Sequence, residues 1–97
     1  MNNWTVVFMP EAEKDFASLD GSQRILVRKM LDRVKDNPLP DYEGGYGKPL
    51  GNKSGNNLTG LLKIKLKSSG LRIVYKLERT EKGMIVVVIG ARADNEI

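Results

Sequence analysis

From Leu58 onward, apolar residues fall at every second position. In KIKLKSSGLRIVYK (63–76), Ile64 and Leu66 leave one side of the chain and Lys63, Lys65 and Lys67 the other. Beyond Ser68-Ser69-Gly70 the alternation resumes, with Leu71, Ile73, Tyr75 and Leu77 on one face and Arg72, Val74 and Lys76 opposite. A period of two marks strands with one face in the core. The pattern predicts strands over Gly60–Lys67, Leu71–Arg79 and Met84–Ala91. The Ser-Ser-Gly turn and Thr80-Glu81-Lys82-Gly83 are short connections, so the three are antiparallel neighbours.

The N-terminal part has other periods. Trp4, Val6 and Phe8 alternate with Thr5, Val7 and Met9, a short strand apolar on both faces. Pro10 suits the first turn of a helix, and Glu11 and Glu13 suit its positive end. Ala12, Phe16 and Leu19 form its buried stripe, and Asp20-Gly21 breaks it. Ser22 is expected to cap a second helix burying Leu26, Val27, Met30, Leu31 and Val34, with Arg24, Arg28, Lys29, Arg33 and Lys35 on the remaining surface. Asn37-Pro38 ends it, because a residue before proline avoids the helical region.

Pro38–Asn57 holds three prolines and no apolar period, and is expected to be a loop. A loop of that length is unusual in a compact domain unless it is functional, mobile or conceals an element. Its GKPLGNKS stretch (47–54) resembles a phosphate-binding loop only superficially. Asn52 stands where the second glycine is required, and the flanks do not read as strand and helix. The order is therefore β-α-α-β-β-β: a single α+β domain over 1–97, with a four-stranded, mainly antiparallel sheet and two N-terminal helices on one of its faces. The first strand joins the same sheet, since alone its backbone groups would go unpaired.

Charge adds a location. The 97 residues carry a net charge of +4. Residues 1–57 hold eight Lys/Arg and eight Asp/Glu, whereas 58–97 hold eight and four, so the whole excess lies with the strands. The resulting basic sheet face is either simply solvated or completed by an anionic partner.

Composition then limits the chemistry. With no cysteine there is no disulfide, thiolate nucleophile or Cys-ligated zinc. With no histidine there is no Ser-His-Asp or Cys-His arrangement and no imidazole acid–base catalysis. The longest wholly apolar run, Met84–Ile89, is far short of a membrane span, and no basic leader precedes a hydrophobic stretch. A soluble, cytoplasmic protein without a membrane partner is expected. Tyr75 reads as core, Trp4 as core or edge packing, while Tyr42 and Tyr46 can either stack on a nucleotide or pack in the loop.

These residues also carry a resemblance. KIKLKSSGLRIVYKLE, the hydrophobic strand after it and GARADNEI resemble the RelE branch of the RelE/ParE toxin superfamily. WTVVF leading into EAEKDFASLD, and KPLGN before the basic strand, extend the likeness over nearly the whole chain. Its most specific part is K-I-K-L-x-S-S-G-x-R with Arg92 after the last strand. The resemblance implies a bacterial toxin that cleaves messenger RNA in the ribosomal A site without metal or other cofactor. It implies a catalytic set of Lys63, Lys65, Arg72 and Arg92, with Lys67, Lys76, Lys48 and Lys53 as further RNA- and phosphate-binding candidates. The implied partners are the ribosome, its message and a small, acidic, partly helical antitoxin, through which a hetero-oligomer would bind operator DNA. The family pattern runs on to a functional tyrosine, whereas this sequence ends at Asn95-Glu96-Ile97.

The residue types suit that chemistry on physical grounds. Metal-free RNA cleavage needs a proton taken from the 2′-hydroxyl, charge neutralised at phosphorus and a proton given to the 5′-oxygen. An amine crowded by other cations gives up its proton more readily, which makes a lysine cluster a source of a general base. Arginine holds phosphate bidentately. Two other functions fit a basic sheet: a gyrase inhibitor of the ParE branch, which lacks the lysine-rich set, and a non-catalytic nucleic-acid-binding domain.

Overall fold

One strand, two helices and four further strands follow one another along the chain. The computed structural model describes residues 4–53, 56–67 and 69–91, and only the backbone of 51–53, 56–59 and 91. The elements are β1 (Thr5–Phe8), α1 (Pro10–Ala17), α2 (Gly21–Val34), a 3-10 turn (Asp41–Glu43), β2 (Lys48–Lys53), β3 (Asn56–Leu66), β4 (Leu71–Glu78) and β5 (Gly83–Ala91). The strands form one sheet in the order β1-β5-β4-β3-β2. β2 to β5 are antiparallel neighbours, and β1 lies parallel to β5 at the edge.

The predicted α+β order holds, with one correction: the sheet has five strands. The extra one, β2, lies in the segment expected to be a loop. Pro49 and Gly51 hide its alternation, and its register with β3 shifts between them. Residues 37–47 are also ordered. Tyr46 N–H donates to Asn37 O (3.1 Å), Gly47 N–H to Leu39 O (3.1 Å) and Asp41 N–H to Gly47 O (2.7 Å). Gly44, at φ 88°, ends the 3-10 turn in the left-handed region that favours glycine. The Arg79 guanidinium holds the Glu43 carboxylate through both nitrogens, at 3.0 and 2.7 Å. That hydrogen bond keeps the Glu43 carboxyl below its ordinary pKa.

Asp20, not Ser22, caps α2. Its side chain accepts from Gln23 N–H (2.8 Å) while Gln23 Oε1 accepts from Asp20 N–H (3.1 Å), a reciprocal capping box. The Gln23 N–H lowers the Asp20 pKa, and Ser22 Oγ adds a hydrogen bond to the same carboxylate (2.9 Å). Val27, Leu31 and Val34 face the core. Leu26 was expected there but is 36% exposed, next to Ile25 at 56%: the buried stripe is narrower than the apolar run.

The helices cover the face bearing Leu62, Ile64, Leu66, Leu71, Ile73, Tyr75, Met84, Val86 and Ile89. Phe16 of α1 meets Phe8 edge to face, with ring centroids 5.7 Å apart. The described part of β1 pairs with β5 only as far as Val86, leaving the far end of β5 open on that side. There Asp15 of α1 accepts the Ile89 N–H at 3.0 Å, so a helix side chain supplies the missing sheet acceptor. Among the described residues no helix is long and apolar enough to cross a membrane.

Candidate nucleic-acid interface

Register builds the basic face, because residues directly opposite on neighbouring strands share a side of the sheet. Lys65 of β3 stands opposite Arg72 of β4, which stands opposite Gly90 of β5. One step along, Lys48 of β2, Lys63 of β3, Val74 of β4 and Val88 of β5 form a second row. In a third, Lys76 lies between Leu61 and Ile85, and Ile85 pairs with Val7 of β1. Partners in a row stand about 5 Å apart at Cα. The face thus has a corner of cations around Lys63, Lys65, Arg72 and Lys48, beside an apolar strip of Val74, Val88, Ile85 and Val7.

The charged side chains are spread between water and the sheet. Lys48, Lys65 and Lys76 are exposed, and Lys63 and Arg72 are half-buried. Val74 shares their face yet is only 5% exposed, whereas Val88 is 37% exposed. The carboxylate that continues the alternation on β4, Glu78, turns away: its Oε1 accepts the Glu81 N–H at 2.8 Å.

The structure thus brings together Lys63, Lys65 and Arg72 as the alternation predicted, and through β2 it places Lys48, a phosphate-binding candidate by resemblance, opposite Lys63. Lys76 shares the face but lies about 13 Å along β4 from Arg72. Lys67 does not join them. The strand ends at Leu66, and Lys67 lines a small cavity of about 170 Å³ with Leu26, Lys29, Met30 and Arg33 of α2, on the helical side. Lys53 has a place on β2 opposite Asn56, and its side chain is outside what is described. Arg92 lies outside the described residues.

Tyr75 is wholly buried, as its alternation implies, and its hydroxyl donates to Pro38 O at 2.7 Å. Burial pushes the phenol pKa up, so the group is a structural donor. Tyr42 and Tyr46 are 76% and 52% exposed. An open groove of about 810 Å³ runs along β1 against the helices, lined by Trp4, Val6, Phe8, Phe16 and Leu31 with charged residues at its rim. Arg28 sits over the Phe16 ring there, 5.4 Å from its centroid.

A helix pair over one face of a mixed sheet, with cations gathered on the other, defines a small α+β protein with a basic sheet face. No family model and no curated protein matches the chain. Solved structures do. The isolated E. coli RelE toxin superposes with a TM-score of 0.75 and 26% identity, over 96% of this chain and 88% of that one. The toxin–antitoxin complex RelBE2 from Mycobacterium tuberculosis gives 0.74 and 20%, over 93% and 99%. A YoeB/ParE toxin from Agrobacterium tumefaciens gives 0.66 and 16%, over 92% and 99%. The latter two speak for the fold alone. The chain is RelE-like in fold, and it is similar to structures of RelE and YoeB/ParE toxins.

Proposed function

We propose that the protein is the toxin of a toxin–antitoxin system and a ribosome-dependent endoribonuclease that cuts messenger RNA in the A site. The observation that carries this reading is the corner of Lys48, Lys63, Lys65 and Arg72 on one sheet face of a RelE-like fold. Likeness to the isolated RelE toxin and to toxin–antitoxin complexes supports the toxin assignment. The cations support the chemistry.

In the proposed reaction the 2′-oxygen attacks the adjacent phosphorus as its proton passes to a lysine amine, Lys63 or Lys65. The bond from phosphorus to the 5′-oxygen breaks, a protonated cation of the cluster returns a proton to that oxygen, and a 2′,3′-cyclic phosphate remains. Arg72, with Arg92 as its proposed companion, neutralises the charge that builds on the phosphoryl oxygens. Lys48 and Lys76, with Lys53 as a further candidate, hold flanking phosphates; Lys67, on the helical side, drops out of this set. In this reading the ribosome supplies the geometry that brings the 2′-oxygen into line.

The expected partner is an acidic, partly helical antitoxin covering the basic face, with the groove along β1 offering apolar surface to anchor it. Mapping message ends after incubation with translating ribosomes tests the proposal. Cuts within A-site codons support it. Intact message together with inhibited gyrase supercoiling would transfer the protein to the ParE type of activity, and intact message with salt-sensitive RNA binding would leave a non-catalytic binder.

A further inference from the structure

Gly90 occupies a position where nothing among the described residues asks for glycine. It lies inside β5, opposite Arg72 and two residues beyond the register shift that involves Val86 and Val88. Its φ is outside the left-handed region, and a Cβ built on it would meet no atom of the described residues within 4 Å. Gly47 is the contrast: there a Cβ would sit 2.3 Å from the Tyr75 hydroxyl and 3.2 Å from Leu62, so packing excludes any side chain. A glycine in the middle of a strand costs stability, because it loses more freedom on folding and has nothing to pack. At Gly90 neither backbone conformation, close approach nor the bulge compensates. What the residue provides is room, and that room opens on the cationic face.

Its neighbours define what would use the space. Across the strands lie Arg72 and then Lys65, both cationic. Along the same face Val88 and Val74 make an apolar shelf next to Lys63. An occupant must therefore be anionic on one side and tolerate an apolar floor on the other, as a ribose–phosphate unit does. A side chain at position 90 would hold such a strand off the sheet and out of bidentate reach of the guanidinium.

We infer that Gly90 is a positioning residue, and that the side-chain-free notch beside Arg72 seats the sugar–phosphate backbone of a bound RNA strand. This rests on the nucleic-acid reading of the face. It adds a specific seat for the backbone and a steric limit on it.

The test compares wild type, Gly90→Ala and Gly90→Val by NMR titration with a short single-stranded RNA made uncleavable by 2′-O-methylation. Thermal unfolding is measured alongside. The expected result is amide shifts centred on Gly90, Arg72 and Lys65 in the wild type. Affinity should fall stepwise with side-chain size, at least about tenfold for valine, while Tm is equal to or above that of wild type. A purely structural role would give the opposite, a loss of Tm with unchanged affinity per folded molecule. Equal affinity in all three proteins, shifts centred elsewhere, or no binding by the wild type would overturn the inference. So would a Gly90→Val variant that binds RNA normally but loses its protein partner. The nuclease proposal fails separately: RNA shifts at Gly90 without A-site cleavage would refute it and leave the notch standing. A-site cleavage unchanged by Gly90→Val would refute the notch and leave the nuclease.

Discussion

Lys65 and Arg72 face each other across β3 and β4, two positive charges in directly opposed positions on one side of a sheet. Like charges so placed oppose folding. A phosphate seated between them would be held by both charges. Replacing Lys65, which is exposed, by alanine removes the repulsion and little packing. The variant should melt no lower than wild type and yet lose growth inhibition on expression. A Tm drop of the size of a core mutation would contradict the placement, and full toxicity would contradict the catalytic role.

The Tyr75 hydroxyl couples β4 to the loop before β2. It donates to Pro38 O and also occupies the space where a side chain at Gly47 would begin. Tyr75→Phe leaves the Pro38 carbonyl without this partner and should cost about 1 kcal/mol, or about 4–8 °C in Tm for a domain of this size. Gly47→Ala should cost more, since the added carbon collides with that oxygen. Combining the two should cost less than the sum of the singles, because removing the hydroxyl removes the collision. Additive melting shifts in a double-mutant cycle would show that the loop does not rest on this contact.

Asp15 completes the edge of β5 from a helix. Asp15→Ala leaves the Ile89 N–H unpaired in a half-buried place, at a cost of about 1–3 kcal/mol. Asn retains an acceptor oxygen and should recover part of that. Hydrogen exchange at the Ile89 amide is the direct readout: it should speed up in the alanine variant. Unchanged protection would mean that another acceptor takes over.

Two surface carboxylates set the acid side of the stability profile. Asp20 and Glu43 both have folded-state pKa values below their ordinary 3.8 and 4.5, through the Gln23 N–H and the Arg79 guanidinium respectively. A depressed folded pKa gives stability that is complete above the unfolded value and disappears as pH falls through the folded one. Asp20→Ala and Glu43→Gln should therefore lower Tm at pH 7. The gap from wild type should close as pH drops below about 4. Both groups are exposed, so the Glu43–Arg79 effect should also shrink in high salt. A gap that persists at pH 2 would show that the carboxylates act through packing and not through charge.

Much of this was legible in the alternation, because a one-sided sheet writes its register into the order of residues. The inward set Leu71, Ile73 and Tyr75 and the outward set Lys63, Lys65 and Arg72 could be read directly, since a one-residue slip would reverse both. β2 could not. Its Pro49 and Gly51 are of the kinds that ordinarily end strands, and only pairing with β3 makes it one. The cap at Asp20 was missed because Ser22 offers the same chemistry two residues later, and geometry decides between them. Lys67 shares the parity of Lys63 and Lys65 in the sequence, but β3 stops at Leu66 and the parity lapses there. The proposed notch at Gly90 needed the structure: a strand glycine becomes informative only when no described neighbour crowds it.

Lys48, a phosphate-binding candidate by resemblance, is placed by β2 opposite Lys63 and is exposed. Its place at the outer strand of the cluster suits a phosphate flanking the scissile one. It should contribute binding without taking part in proton transfer. Lys48→Ala should weaken binding of single-stranded RNAs of different sequence by a similar factor, because phosphate contacts carry no base information. Each phosphate contact to a single strand contributes about 0.7 to the slope of log affinity against log salt. The variant's slope should be shallower by about that amount. In single-turnover cleavage on programmed ribosomes, the rate at saturating protein should stay near wild type while the concentration needed for half-saturation rises. An unchanged salt slope would remove Lys48 from the interface. A collapse of the saturated rate would instead place its amine among the groups that act on the reacting phosphate.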